Sequence, residues 1–210
     1  MKLIGHRGAH SGKILPNSIE ALKLCLTRGY GLETDFRDFD ERLVISHDIP
    51  NVDAPSAEAF FSHAQTFSSC TLALNVKADG IAELLDEQLE RYGITNYFAF
   101  DMSVPQMLTY RDKNIRFFTR RSEYEQTPVL YEDAAGVWID AFEDEQWIKK
   151  ELLTGYLADG KDICIVSPEL HGRANESFWE RIASFGLGNE GIMLCTDLLT
   201  EAEEFFGGGK

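Results

Sequence analysis

Residues 1–36, "MKLIGHRGAHSGKILPNSIEALKLCLTRGYGLETDF", decide the fold. Residues 2–4 are a short apolar run that ends at "GHRG" (5–8). Asn17 or Ser18 is placed to cap a helix that runs to about Arg28 and stops before Gly29. Residues 31–36 then read as a second strand. Strand, loop, helix, strand is a β-α-β unit, whose parallel strands are joined by a right-handed crossover. The rhythm continues to the end of the chain. Strand-like runs fall at 71–76, 97–100, 115–119, 137–140, 163–166 and 192–196, and several are nearly all apolar, as strands covered on both faces are. Helical stretches fall between or after them at 57–67, 81–92, 105–112, 143–157, 175–185 and 200–206. Residues 43–46 follow their neighbour too closely for a crossover helix and read as an extension of the barrel rather than a ninth strand. About eight such units predict a single-domain α/β protein, a (β/α)8 TIM barrel over residues 1–210. A doubly wound open sheet is the alternative.

Composition narrows the function. The chain has 210 residues, 44% of them hydrophobic, enough for a sizeable core. No apolar stretch approaches the ~20 residues that span a bilayer. The chain enters its first strand without a basic segment and apolar run, so no signal peptide is expected and the protein reads as cytoplasmic. A net charge of −15 repels nucleic acid and anionic membrane surfaces, and neither is expected as a partner. An anionic substrate then needs a local cation or a few well-placed basic residues. Cys25, Cys70, Cys164 and Cys195 each sit in an apolar run without a CxxC pair, which predicts buried free thiols.

In a barrel, chemistry gathers at the C-terminal ends of the strands. His6 and Arg7, Glu33 and Asp35, His47 and Asp48, Asn75 and Lys77, Asp101, Arg120 and Arg121, Asp140, Glu169 and Asp197 all fall there. "GHRG" alone is either a tight turn with an incidental histidine or an anion-handling loop. Among so many ionisable strand ends the second reading gains weight. In "LETDF", Glu33 and Asp35 are two apart and share a strand face. Carboxylates converging there either stay solvated or hold a cation, and oxygen ligands suit Mg²⁺ or Ca²⁺. His6 and His47 can divide proton transfer across a phosphodiester, with Arg7 on the phosphate oxygens. The cation would neutralise charge on those oxygens.

Four stretches resemble the glycerophosphodiester phosphodiesterase family, within the barrel superfamily that also holds phosphatidylinositol-specific phospholipases C. They are "GHRG" (5–8), "LPNSIEAL" (15–22), "LETD" (32–35) and "SHD" (46–48), all in about the first 50 residues. The resemblance implies His6 and His47 as acid/base residues, Arg7 at the phosphate, and Glu33 and Asp35 as metal ligands. Two departures stand out. Pro16 replaces a glutamate of the helix-start motif, and the third strand reads "LALNVKADG". In one alignment Asn75 replaces a ligand glutamate, with Lys77 two places later. In the other, Lys77 itself takes the glutamate's place, where its ammonium would bind a phosphate oxygen or weaken the metal site. Asp101 or Glu169 are the nearest candidates to compensate.

The remaining residues have quieter readings. His63 falls in a helix, His10 in the first loop, and His171 beyond a strand end. Trp138, Trp147 and Trp179 have core spacing, Arg121, Glu123 and Tyr124 are rim candidates, and "AFEDEQ" (141–146) reads as a helix start. The sequence thus predicts a hydrolase of a small phosphodiester, of oligomeric state unknown. His6 and His47 would be catalytic. Arg7 and Lys77 would bind substrate. Glu33, Asp35 and Asn75 would hold one divalent cation modestly. A non-catalytic binder of a phosphorylated metabolite is the rival, favoured by Asn75, and a lyase or transferase on the same site is a third reading.

Overall fold

The computed structural model describes residues 1–207. In chain order the elements are β1 (Lys2–Gly5), α1 (Ile19–Thr27), β2 (Gly31–Phe39), β3 (Arg42–Ile45), α2 (Ala57–Ala64), β4 (Leu72–Val76), α3 (Ala82–Arg91), β5 (Tyr97–Phe100) and α4 (Val104–Asp112). They continue with β6 (Phe118–Arg121), β7 (Gly136–Ile139), α5 (Lys150–Ala158), β8 (Asp162–Val166), α6 (Glu176–Ser184), β9 (Ile192–Thr196) and α7 (Leu199–Gly207). Two compact units share the chain. One is Gly5–Phe117; the other joins Met1–Ile4 to the chain from Phe118 onward.

In the unit Gly5–Phe117, β2, β4 and β5 pair in parallel in that order. Phe36 turns away from the carboxylates of its own strand and stacks on Phe61 at 5.5 Å, with Phe60 at 6.2 Å. Helix α1 covers this layer with Ala21, Leu22, Cys25 and Leu26, one helical face. Ser18 caps it, its Oγ accepting the Ala21 N–H at 3.2 Å, and Gly29 at φ +82 ends it. In the other unit β9, β8, β7 and β6 pair in parallel in turn. Val137, Ile139, Ile163, Ile165, Ile192 and Leu194 of its strands pack against Leu153, Phe178, Trp179 and Ala202 of its helices. All four cysteines are buried and free, as expected. Among the described residues no helix is long and apolar enough to cross a membrane.

Two expectations are corrected. Residues 42–45 form a strand of their own, β3, antiparallel to β2, with Phe36 opposite Ile45 and Phe39 opposite Arg42. The two-residue turn between them carries Asp40 at φ 51 and Glu41 at φ 60, the left-handed pair that matches strand twist in a tight hairpin. The helix expected over 143–157 begins only at Lys150. Upstream, side chains have taken the backbone groups a helix would use. Glu123 accepts the N–H of Phe142 and Glu143 at 3.0 Å and of Asp144 at 3.2 Å, and Asp144 accepts that of Gln146. "AFEDEQ" is therefore a strapped loop rather than a helix start.

The "GHRG" turn is fixed onto α1. The Gly8 N–H donates to Gly5 O at 3.3 Å, and the Ala9 N–H donates to Ala21 O at 3.0 Å. Arg7 (φ 53) and Gly8 (φ 92) take the left-handed conformation, while Gly5 does not. A Cβ on Gly8 would lie 2.7 Å from the Ala21 carbonyl carbon, which is backbone and cannot yield. Left-handed strain alone costs about 1–3 kcal/mol. Gly8→Ala is accordingly expected to lower the unfolding free energy by about 2 kcal/mol or more. Urea denaturation checks this, and an unchanged midpoint would show that the loop lifts freely off α1.

Candidate functional site

Strand β2 places Glu33 and Asp35 on the same face, and each is only 1% exposed. Register then sets their neighbours. Asp35 pairs with Asn75 across β2 and β4, and Lys77 continues the ladder by donating its N–H to Phe36 O at 3.0 Å. Glu33 takes two donors: the Arg7 N–H at 3.0 Å on Oε2 and the Asn75 amide at 3.2 Å on Oε1. Asp35 Oδ2 accepts the Asn17 amide at 2.8 Å and lies 3.2 Å from Arg7 Nε, an ion pair without hydrogen-bond alignment. Asp35 Oδ1 faces Lys77 Nζ at 3.6 Å, and that ammonium donates to Asp101 Oδ2 at 3.3 Å.

His47 reaches the same region because β3 runs backwards. The hairpin returns the chain so that the Ser46 N–H donates to Asp35 O at 3.0 Å. Arg37 holds the next residue, its Nε donating to His47 O at 3.0 Å. The His47 ring is 43% exposed, with Nδ1 2.9 Å from Asp48 Oδ1, and this hydrogen bond draws the Asp48 carboxyl below its ordinary range. Arg7 and His47 line one cleft of about 370 Å³ together with Asn17, Ser18, Ser46 and Asp48. Leu15 and Ile49, 68% and 89% exposed, form apolar parts of its wall. His6 stands near enough to Glu33 for its positive charge to act on that carboxyl, and a ring nitrogen of His10 lies within 4.8 Å of one of His6.

All seven residues singled out in the sequence therefore fall in the unit Gly5–Phe117. The structure joins Arg7, Glu33, Asp35, Asn75 and Lys77 in one contact network and puts His47 on the Arg7 cleft. Two contributors had other readings. Asn17, a candidate cap, leaves that task to Ser18 and clamps Asp35 instead. Its own Oδ1 accepts the Thr34 hydroxyl at 2.8 Å, and its N–H donates to Arg7 O at 2.9 Å. Asp101, a candidate replacement ligand, engages Lys77.

Buried oxygens test the fit of a divalent cation. Asp35 Oδ1 and Asn75 Oδ1 are both buried and accept no hydrogen bond, the condition in which a hard cation finds ligands. With Glu33 they are oxygens of the kind Mg²⁺ or Ca²⁺ takes, although an amide supplies less charge than a carboxylate and both Glu33 oxygens already accept a hydrogen bond.

The second unit has polar strand ends of its own. His171 Nε2 lies 2.7 Å from Asp140 Oδ1, and Phe142 meets the His171 ring edge-on at 5.4 Å. Glu169 accepts from Ser167 and Thr196, and the Trp179 indole N–H donates to Ser167 Oγ at 2.8 Å. Arg121 lies over the Trp147 ring at 4.7 Å. Burial pushes the Glu123 carboxyl up, but the N–H groups of Glu123 itself and of Phe142, Glu143 and Asp144 together hold it down at about 2.

No protein-family model matches the sequence, and no curated protein is significantly similar to it. Solved structures are similar. A glycerophosphodiester phosphodiesterase from Parabacteroides distasonis aligns with a TM-score of 0.72 at 16% identity, over 100% of this chain and 98% of its own. One from Agrobacterium tumefaciens aligns at 0.69 and 15%, over 93% of this chain and 96% of its own. A tryptophan synthase α-subunit from Pyrococcus furiosus aligns at 0.60 and 14%, over 98% of each. At such identities the likeness is one of fold, and the fold is the (β/α)8 barrel expected from the sequence.

Burial, and then the neighbouring Asp35, push the Glu33 carboxyl from its ordinary 4.5 up to about 7, while His6 and Arg7 pull the other way. The folded state thus holds a proton that the unfolded chain has released between those values. Stability from this group is present below pH 4.5 and is lost as pH rises through about 7. Glu33→Gln should flatten that part of the pH–stability curve. Parallel denaturant titrations of both proteins measure it, and an identical slope in the variant would assign the effect to another group.

Proposed function

We propose that the chain is a divergent member of the glycerophosphodiester phosphodiesterase family and hydrolyses a small phosphodiester. The observation that carries the reading is the joint presence of Arg7 and His47 on one cleft, with Arg7 set from behind by Asp35. The Arg7 guanidinium takes phosphate oxygens by charge-assisted hydrogen bonds. Lys77 adds a second positive charge beside Asp35. These cations offset, at the site, the −15 field of the whole chain.

Proton transfer falls to the histidines. In the neutral tautomer whose Nδ1–H donates to Asp48, His47 Nε2 is the atom that would take a proton from an attacking hydroxyl. His6 then gives a proton to the leaving alkoxide. One phosphorus–oxygen bond forms to the attacking oxygen as the bond to the alkoxide breaks. The attacking hydroxyl is either water or a neighbouring hydroxyl of the substrate, the latter giving a cyclic phosphate. A divalent cation held by Glu33, Asp35 and Asn75 would neutralise charge on the non-bridging phosphoryl oxygens. Substrates are small molecules rather than nucleic acid or membrane, and four free buried cysteines accord with a reducing cytoplasm.

Asn75 supports a second reading, a phosphometabolite-binding relative without turnover. The two separate cleanly. For the hydrolase, His6→Ala and His47→Ala each lower turnover of a glycerophosphodiester by roughly 10²–10⁴-fold, and the double variant loses less than the product. Arg7→Lys weakens substrate binding, since lysine lacks the planar fork. The binder predicts a wild-type protein that holds a phosphodiester tightly and cleaves none, with or without divalent metal.

A further inference from the structure

The two oxygens of Asp35 have different surroundings. Oδ2 is covered by Asn17 at 2.8 Å and Arg7 at 3.2 Å. Oδ1 is buried, accepts no hydrogen bond, and has the Lys77 ammonium 3.6 Å away. The oxygen best placed for a divalent cation is thus the one that already faces a cation of the chain. Lys77 is also shared: its Nζ lies slightly nearer Asp101 Oδ2, at 3.3 Å, than Asp35 Oδ1. Asp101 sits just past β5 at φ 73, in the left-handed region that Asp and Asn enter more readily than other non-glycine residues.

We propose that Lys77 is a built-in competitor for the divalent cation at Asp35, and that Asp101 sets the outcome by drawing the ammonium away. The inference rests on the reading that Glu33, Asp35 and Asn75 hold such a cation. Like charges a few ångströms apart repel strongly in a partly desolvated site, and Lys77 is only 20% exposed. Moving the ammonium toward Asp101 lowers that repulsion; losing Asp101 leaves Asp35 as the main counter-charge and closes the site. Asp101 is therefore a positioning residue. Its effect on metal affinity passes through Lys77 and needs no bond to the ion.

Calorimetric titration of chelator-treated full-length protein with Mn²⁺, Mg²⁺ and Ca²⁺ salts tests this without reference to activity. Lys77→Met should tighten binding by roughly 5- to 100-fold, the range of ordinary coupling between sites. Lys77→Gln should act in the same direction, which guards against a packing effect of methionine. Asp101→Asn should weaken binding in the wild-type background and leave it unchanged in the Lys77→Met background. Unchanged or weaker affinity in both Lys77 variants, with native thermal melts, overturns the competition. Equal weakening by Asp101→Asn in both backgrounds also overturns it, because Asp101 would then be a ligand. If no protein binds metal, including Asn75→Glu, the cation reading falls together with the inference. Hydrolysis of a glycerophosphodiester in chelator would show the hydrolase reading surviving that result.

Discussion

Two carboxylates buried side by side on one strand set the terms for everything around them. An isolated ionised carboxylate out of water costs several kcal/mol even after relaxation, and a second one beside it adds repulsion. Glu33 and Asp35 are each 1% exposed, so the fold must bring donors and positive charge to them. It does so from three directions. The turn after β1 supplies the Arg7 N–H and guanidinium, the residue before the α1 cap supplies the Asn17 amide, and β4 with the residue after it supplies Asn75 and Lys77. Even then burial first, and the charge of Asp35 second, hold the Glu33 carboxyl up at about 7.

Three of the seven non-glycine residues with positive φ among the described residues serve the same constraint. Arg7, Asn17 and Asp101 all adopt positive φ, and all three have side chains on this charge network. Asn and Asp enter the left-handed region more readily than most residues, so Arg7 is the one whose conformation most needs its surroundings. Here the determinant is electrostatic as much as steric. Arg7 must turn so that its N–H meets Glu33 while its guanidinium meets Asp35. Asn17 must turn so that its amide reaches Asp35 while its N–H closes on Arg7 O.

Much of this was legible in the sequence because periodicity and strand-end chemistry are local signals. Apolar runs separated by capped helices gave the barrel, and "LETD" put two carboxylates on one face by alternation alone. Other features depend on long-range partners. The β2–β3 hairpin turns on Asp40–Glu41, which lacks the glycine that usually marks such a turn. Residues 143–149 have helical composition, yet Glu123 supplies acceptors for their N–H groups from about twenty residues upstream in the chain. Asn17 and Ser18 are equally good caps in sequence, and only the position of Asp35 divides their work. Asp101 could be named as a candidate from its strand end. Its role depends on the Lys77 ammonium lying within 3.3 Å, which no spacing encodes.

The units differ in how far their polar strand ends satisfy one another, and that difference bears on function. In the unit carrying β6 to β9, Asp140 meets His171, Glu169 gathers Ser167 and Thr196, and Glu123 is spent on backbone N–H groups. Groups bound to each other in this way hold loops in place. In the unit Gly5–Phe117, Arg7 Nε, Asp35 Oδ1 and Asn75 Oδ1 are buried without a hydrogen-bond partner, and all belong to one network. Native folds rarely leave buried polar atoms in that state unless a ligand, ion or water completes them. On the proposed function, a phosphate anion and its cation would complete this donor and these two acceptors. A barrel whose carboxylates served only to close loops would pair their oxygens internally, as Asp140, Glu169 and Glu123 do in the other unit.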